Sequence, residues 1–235
     1  MTTIDIRRAG ERFTTKIDWL DSKHSFSFGP HYDASNTHHG LLLVNNDDVV
    51  RAGMGFGTHP HRDMEIVSWV LSGELEHRDS AGHHGVILPG HAQRMSAGRG
   101  IRHSEQNASS TTDVHFLQMW VPPDTEGIDP SYEQVDVSDD LANGGLVAIA
   151  AGPDRESAVT IRQRDAALWA AHVQADERIA VPDDRHVHVF VARGSGVLDP
   201  GGPLGTGDAA RLTDADGLGF TAGSDGAEVL IWATA

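Results

Sequence analysis

The chain is a succession of short apolar runs, each closed within a few residues by glycine, proline or a polar turn. EIVSWVL, GVILPG, VHFLQMWV, LVAIAA, VHVFVA and AEVLIWA are the clearest of them, rich in Val, Ile, Leu, Phe and Trp. These residues pack well on a pleated, half-buried surface. The 26 glycines and 10 prolines are scattered between the runs instead of being pooled into a linker. Many short strands punctuated by turn residues predict an all-β chain folded as sandwiches or barrels. Helical patterning is scarce. DPSYEQ is the best candidate for one or two turns, and DAALWAA reads either way.

The pattern is also repeated. EIVSWVLSG (65–73) and HVHVFVARG (186–194) are both apolar runs closed by a glycine, and DVHFLQMWV (113–121) and AEVLIWATA (227–235) both carry a tryptophan at the end of a long β segment. Such self-similarity predicts two stacked β domains. The polar, glycine-containing stretch DVSDDLANGG (136–145) marks the expected boundary. Residues 1–135 and 136–235 are therefore expected to form an N-terminal and a C-terminal domain, each with its own apolar core.

Two short motifs carry the chemistry. GFGTHPHRDMEI places His59 and His61 two apart, and AGRGIRHSEQN places His103 and Glu105 at the same spacing. Alternate residues of a strand share a face, so each pair points one way. If the two strands are neighbours, opposed side chains start about 5 Å apart and four ligand atoms can converge on one ion. The segment between them, ELEHRDSAGHHGVILPGHAQRMS, reads as a meander that brings the second pair back. Three imidazoles and a carboxylate suit a divalent transition metal (Fe, Ni, Mn, Cu, Co or Zn) and do not suit Ca(II) or Mg(II). An ion that accepts six ligands would keep two positions open for water, substrate or dioxygen. Glu65, four after His61 and on its face by parity, is read as a hydrogen-bond acceptor for an imidazole or a buried structural carboxylate, ahead of a ligand.

The other histidines lack matched partners. His186 and His188 stand two apart on an expected strand with no second pair, which suits a strand face near the domain interface. His24, His31, His38 and His39 fall in turns or on the surface, His83 and His84 at a loop tip, and His77 and His115 within strands, as hydrogen-bonded barrel residues.

Composition removes whole classes of function. With no cysteine, disulfides, thiolate metal sites and cysteine nucleophiles are excluded. A formal charge of −16 with no Lys/Arg cluster argues against direct contact with nucleic acid or an anionic membrane. No apolar run is long enough for a signal peptide or a membrane span, so a soluble, cytoplasmic protein is expected.

The run GFGTHPHRDMEI…ELEHRDSAG…MSAGRGIRHSEQN, extended by WLDSKHSFSFG (19–29), LLLVNNDDVVRAG and VHFLQMWVPP, resembles the pirin family of the cupin superfamily, in particular its bacterial branch similar to quercetin 2,3-dioxygenases. The likeness is detailed in the N-terminal half and weakens after residue 140, where the β pattern alone persists. The resemblance implies a bicupin, two stacked antiparallel β-sandwich barrels. It implies one metal, usually iron, as Fe(II), held in the N-terminal barrel by His59, His61, His103 and Glu105, with Glu65 outside that set. In the second barrel the corresponding positions are Ala180, Pro182, Ala215 and Gly217, so no metal is expected there. Two functions follow from the resemblance. One is dioxygenation of a flavonol such as quercetin, with Glu105 taking the 3-hydroxyl proton. The other is a non-enzymatic, iron-dependent regulator that binds a partner protein.

Overall fold

The computed structural model describes residues 1–235. Its architecture follows from two N-terminal strands, Glu65–Ser72 and Val114–Val121, which are buried along most of their length. Val67, Trp69 and Leu71, with Leu117, Met119 and Val121, join Leu168, Phe190, Leu230 and Trp232 of the C-terminal half in a cluster of 23 buried residues. The alternate residues point the other way, into the N-terminal sandwich: Val70 and Phe116 into one small cluster and Ile66 into another. A strand covered on both faces reads as a continuous apolar run. That is why EIVSWVL and VHFLQMWV show so little alternation.

The fold is an all-β bicupin. In the N-terminal half a seven-stranded sheet holds, in order, Ser131–Asp136, His91–Ser96, Glu65–Ser72, Val114–Val121, Val44–Val50, Leu20–His24 and Phe13–Ile17. A four-stranded sheet accompanies it, ordered Gly55–His61, Ile101–Asn107, Leu75–Asp79 and His84–Ile87. The C-terminal half is one nine-stranded sheet organised on two 16-residue strands, Asp184–Asp199 and Gly219–Thr234. Register shifts between Val191 and Arg193 and between Gly194 and Gly196 break that long ladder. Bulges of this kind bend and twist a strand, as a closed sheet requires.

Each half does have apolar clusters of its own, of 19 residues in the C-terminal half and of seven and four in the N-terminal half. The largest cluster, however, is shared between the halves, which differs from two self-sufficient cores. The N-terminal sandwich gives much of its interior to polar side chains, and the face behind that interior supplies the apolar burial instead. Polar links cross the same boundary. Trp69 Nε1 donates to Glu228 Oε1 at 2.8 Å, and an Arg193 guanidinium nitrogen donates to the Leu71 carbonyl at 2.7 Å. The first strand, Thr3–Arg7, pairs with Ala209–Ala215 in the C-terminal sheet.

One local expectation changes and one open reading is decided. DPSYEQ is not helical: Ser131–Asp136 is an antiparallel strand against His91–Ser96. The one α-helix, Ser138–Ala142, falls in the polar stretch that follows and buries Leu141. DAALWAA is part of the strand Ala166–Val173, whose Leu168 and Ala170 enter the shared core while Ala171 and Val173 enter the C-terminal one. Burial on both faces removes the alternation that would have marked it as a strand. No helix is long and apolar enough to cross a membrane.

Candidate metal centre

His59 lies directly opposite His103 in the antiparallel pair Gly55–His61 and Ile101–Asn107, and His61 lies opposite Ile101. The three imidazoles gather as a result. Ring centroids are 4.5 Å apart for His59 and His103, and 4.9 Å for His61 with each of them. One nitrogen from each lies within 4.8 Å of the others, and these three residues form the one group of His, Asp or Glu side chains with metal-ligand geometry.

The chemistry of these imidazoles suits a cation. His103 is 1 % exposed. Burial, followed by the neighbouring His59 and His77, pushes its pKa down to about 3. Burial and then His103 and His59 push His61 down to about 4. Both rings are therefore neutral at pH 7, with lone pairs available. The Nε2 atoms of His61 and His103 are buried without any hydrogen-bond partner. Buried polar atoms are rarely left so, and two orphaned lone pairs beside a third imidazole fit a metal ion. His59 is oriented by its own strand: Nδ1 lies 2.8 Å from the Gly57 carbonyl, which leaves Nε2 for the centre.

Glu105 is not part of this tight group. A register shift lies between His103 and Glu105, and in this pair Glu105 lies opposite Phe56. The extra residue at Gly57–Thr58 accounts for the shift, a β-bulge. The carboxylate is held by Gln118, whose Nε2 lies 2.8 Å from both oxygens. Trp120 Nε1 in turn donates to Gln118 Oε1 at 3.0 Å. Glu105 still opens on the same cavity as His59 and His61.

That cavity holds about 300 Å³, at the small end of ligand pockets. Phe28, Phe56 and Trp120 form apolar walls, and Ser22, His24 and Asp48 a polar one. The ring of Trp120 stands edge-on to His61 with centroids 4.9 Å apart. Asp48 is buried, and burial drives its pKa up to about 7 against the hydrogen bond from the Ser22 hydroxyl, with the charges of Glu105 and Asp47 adding to the rise. Sequence reasoning missed this wall. The available signal was NNDD at 45–48, four polar residues inside the apolar frame LLLV…VV, of which Asn45, Asn46 and Asp48 prove buried.

The remaining expectations resolve as follows. Glu65 is fully buried, but Asp63 has a left-handed backbone (φ 46°), so strand parity does not carry from His61 to Glu65. Its Oε2 accepts from Ser96 Oγ at 2.7 Å and from the Arg162 amide at 3.0 Å, which makes it an inter-half structural carboxylate. His188 is buried between Phe26 and Phe190 near the boundary between the halves, and His186 Nδ1 meets the Ala235 carbonyl at 3.2 Å. His24 is not a surface residue: it is 3 % exposed and bridges Asn46 Oδ1 at 2.8 Å and Thr15 Oγ1 at 2.9 Å. His115 pairs with Asp47 at 2.6 Å.

A two-cupin chain with three converging imidazoles in its first sandwich has the architecture of a bicupin with a candidate metal centre. A family model described as Pirin matches residues 6–121, and one described as quercetinase C-terminal cupin domain matches residues 148–232. The quercetin 2,3-dioxygenase of Escherichia coli (strain K12) is 40% identical over 232 residues, 97% of this chain and 97% of that protein. A Mycobacterium tuberculosis relative, given the same activity only provisionally by its name, is 55% identical over 231 residues, 98% of this chain and 94% of that one. The crystal structure of YhhW from Escherichia coli matches with a TM-score of 0.92 at 37% identity, covering 99% of this chain and 98% of that one. The bacterial pirin YhhW in complex with nickel(II) gives 0.89 at 37% identity, with 98% of both chains covered. The chain belongs to the pirin family of cupins.

Proposed function

We propose that this protein is a metal-dependent dioxygenase that opens the heterocycle of a flavonol with dioxygen, releasing carbon monoxide. The observation that carries the reading is the pair of orphaned, buried Nε2 atoms beside His59, in a centre whose His59 and His61 line an aromatic-walled cavity with a carboxylate at its side. His59, His61 and His103 hold the ion in this reading, with Glu105 as fourth ligand or as base beside it. Fe(II) is the expectation from the family resemblance, and the ligand set accepts Ni(II) equally. A bound divalent metal would supply Lewis-acid polarisation of the flavonol oxygens.

The chain's own residues account for the rest. Phe28, Phe56 and Trp120 bury a planar aromatic and exclude water. Glu105 accepts the 3-hydroxyl proton, its orientation set by Gln118. Asp48, neutral below about pH 7, donates a hydrogen bond to an oxygen of the bound aromatic. The site belongs to an N-terminal unit, 1–135, and the C-terminal unit, 136–235, backs it. The protein acts in the cytoplasm.

The test is oxygen uptake and carbon monoxide release by metal-loaded protein with quercetin. Glu105→Gln keeps size and one acceptor oxygen but takes no proton at neutral pH. It should lower turnover roughly 10²–10⁴-fold while most of the metal stays on three imidazoles. Near-normal turnover in the metal-loaded variant would remove the base role. No oxygen uptake by the wild type with any flavonol would remove the dioxygenase reading and leave a binding protein.

A further inference from the structure

The four-stranded sheet carries a third alternating motif beside the two ligand pairs. Its strand Leu75–Asp79 pairs with Ile101–Asn107 so that Asp79 lies opposite His103 and His77 opposite Glu105. His77 and Asp79 are both sealed from solvent, with side chains 1 % and 0 % exposed. A continuous chain of contacts leaves the centre through them. His103 Nδ1 lies 3.3 Å from His77 Nδ1, His77 Nε2 lies 3.2 Å from Asp79 Oδ2, and the same oxygen lies 2.9 Å from His83 Nδ1. Tyr132 closes the outer side, its ring 4.8 Å from that of His77. None of these groups touches the cavity where the reaction is proposed.

The directions of these hydrogen bonds are set from one end. Burial alone would raise the Asp79 carboxyl, but hydrogen bonds from His77 and from the His83 amide and ring bring it below its usual range. Asp79 is therefore an acceptor only. A neutral His77 then carries its proton on Nε2 to donate to it, which leaves His77 Nδ1 as an acceptor. His103 must then carry its proton on Nδ1, and its Nε2 keeps a lone pair. That is the atom found buried without a partner.

We propose that His77 and Asp79 are positioning residues that lock His103 in the tautomer presenting Nε2 to the metal, and so set the affinity of the centre. The proposal rests on the metal-binding part of the functional reading and is independent of the substrate. Partners of this kind are commonly worth 10–100-fold in metal affinity.

The experiment is titration of the metal-free protein with Ni(II) or Zn(II), with His77→Leu, His77→Gln and Asp79→Asn beside the wild type. Leucine fills the buried space but offers no acceptor, so His77→Leu should bind metal about 10–100-fold more weakly. Glutamine restores an acceptor oxygen toward His103 Nδ1 and should stay within about threefold of the wild type, a rescue that a purely packing role would reverse. In Asp79→Asn an amide NH₂ takes the place of Oδ2. Every proton in the chain is then driven to the other nitrogen, and affinity should fall as far as in the leucine variant. Nitrogen-15 NMR of histidine-labelled wild type gives a readout that needs no variant to fold: His103 should be the Nδ1–H form both before and after Zn(II). An Nε2–H tautomer in the metal-free protein, or equal affinities for the leucine variant and the wild type, would overturn the proposal. Failure of the wild type itself to take up metal would overturn the functional reading along with it.

Discussion

Asp48→Asn in the metal-free protein tests the raised pKa of the buried carboxyl in the cavity wall. Asp48 is 4 % exposed and titrates near 7 in the folded state, against about 3.9 in an unfolded chain. Below pH 4 both states are protonated and the group contributes nothing to pH dependence. Between 4 and 7 the unfolded chain ionises while the folded one does not, so stability falls as pH rises. Above 7 both are charged and the loss is complete. A difference of about three units at about 1.36 kcal/mol each gives roughly 4 kcal/mol at pH 8, but only about 1–2 kcal/mol at pH 5. Asparagine keeps the shape and the acceptor for the Ser22 hydroxyl and has no proton to lose. Urea unfolding with chelator present, at pH 5, 6, 7 and 8, gives the stability of each protein. Subtracting wild type from variant cancels the titrating groups that do not feel Asp48, leaving Glu105 and Asp47 as its coupled neighbours. The variant's relative stability should rise by on the order of 2–3 kcal/mol from pH 5 to 8, and then level off. A flat difference would show that Asp48 is ionised in the folded state throughout and would remove it as a hydrogen-bond donor to a ligand.

Three further outcomes follow from the same geometry. His61→Ala should abolish tight metal uptake, read by metal analysis after dialysis, and leave the far-UV β signal intact, because none of the apolar clusters includes the three imidazoles. Gly55→Ala should weaken metal binding from a distance. Its Cβ would stand 2.3 Å from the Glu105 carbonyl oxygen and 2.6 Å from Gln106 Cα, forcing apart the strands that bring His59 to His103. Overpacking of this kind costs typically 1–3 kcal/mol, and unchanged metal affinity would show that the pair tolerates the shift. Trp69→Phe should cost about 1 kcal/mol of stability, seen as a lower urea midpoint at constant slope. It deprives Glu228 of its 2.8 Å donor, while His172 at 3.6 Å and Arg193 at 3.9 Å soften the loss.

The β class, the repeat and the three histidines were legible in the linear sequence because each rests on local rules. Strands and turns declare themselves by residue type, and alternation places His59 with His61 before any partner strand is known. Glu105 was legible as a member of the cavity but not in its detailed place, because the bulge at Gly57–Thr58 belongs to the pairing of two strands and shifts the register by one residue. Parity misled at Glu65 for a similar reason, since one left-handed residue at Asp63 turns the chain between the two strands. DPSYEQ was misread because its strand state comes from the ladder with His91–Ser96, a contact made across the sheet. The polar wall of Ser22, His24 and Asp48 left only the trace of NNDD at 45–48, and the partners in the chain His103–His77–Asp79 were set by the sheet. Burial and a neighbour 20 or more residues away decide what such side chains do: with 4 % of Asp48 exposed, burial lifts its carboxyl to about 7. Residue type and spacing alone determined that this chain would be β and carry a candidate metal site. Which lone pairs face that site, and which way its protons point, was decided by packing, because desolvation and hydrogen-bond direction exist only once the sheets have closed.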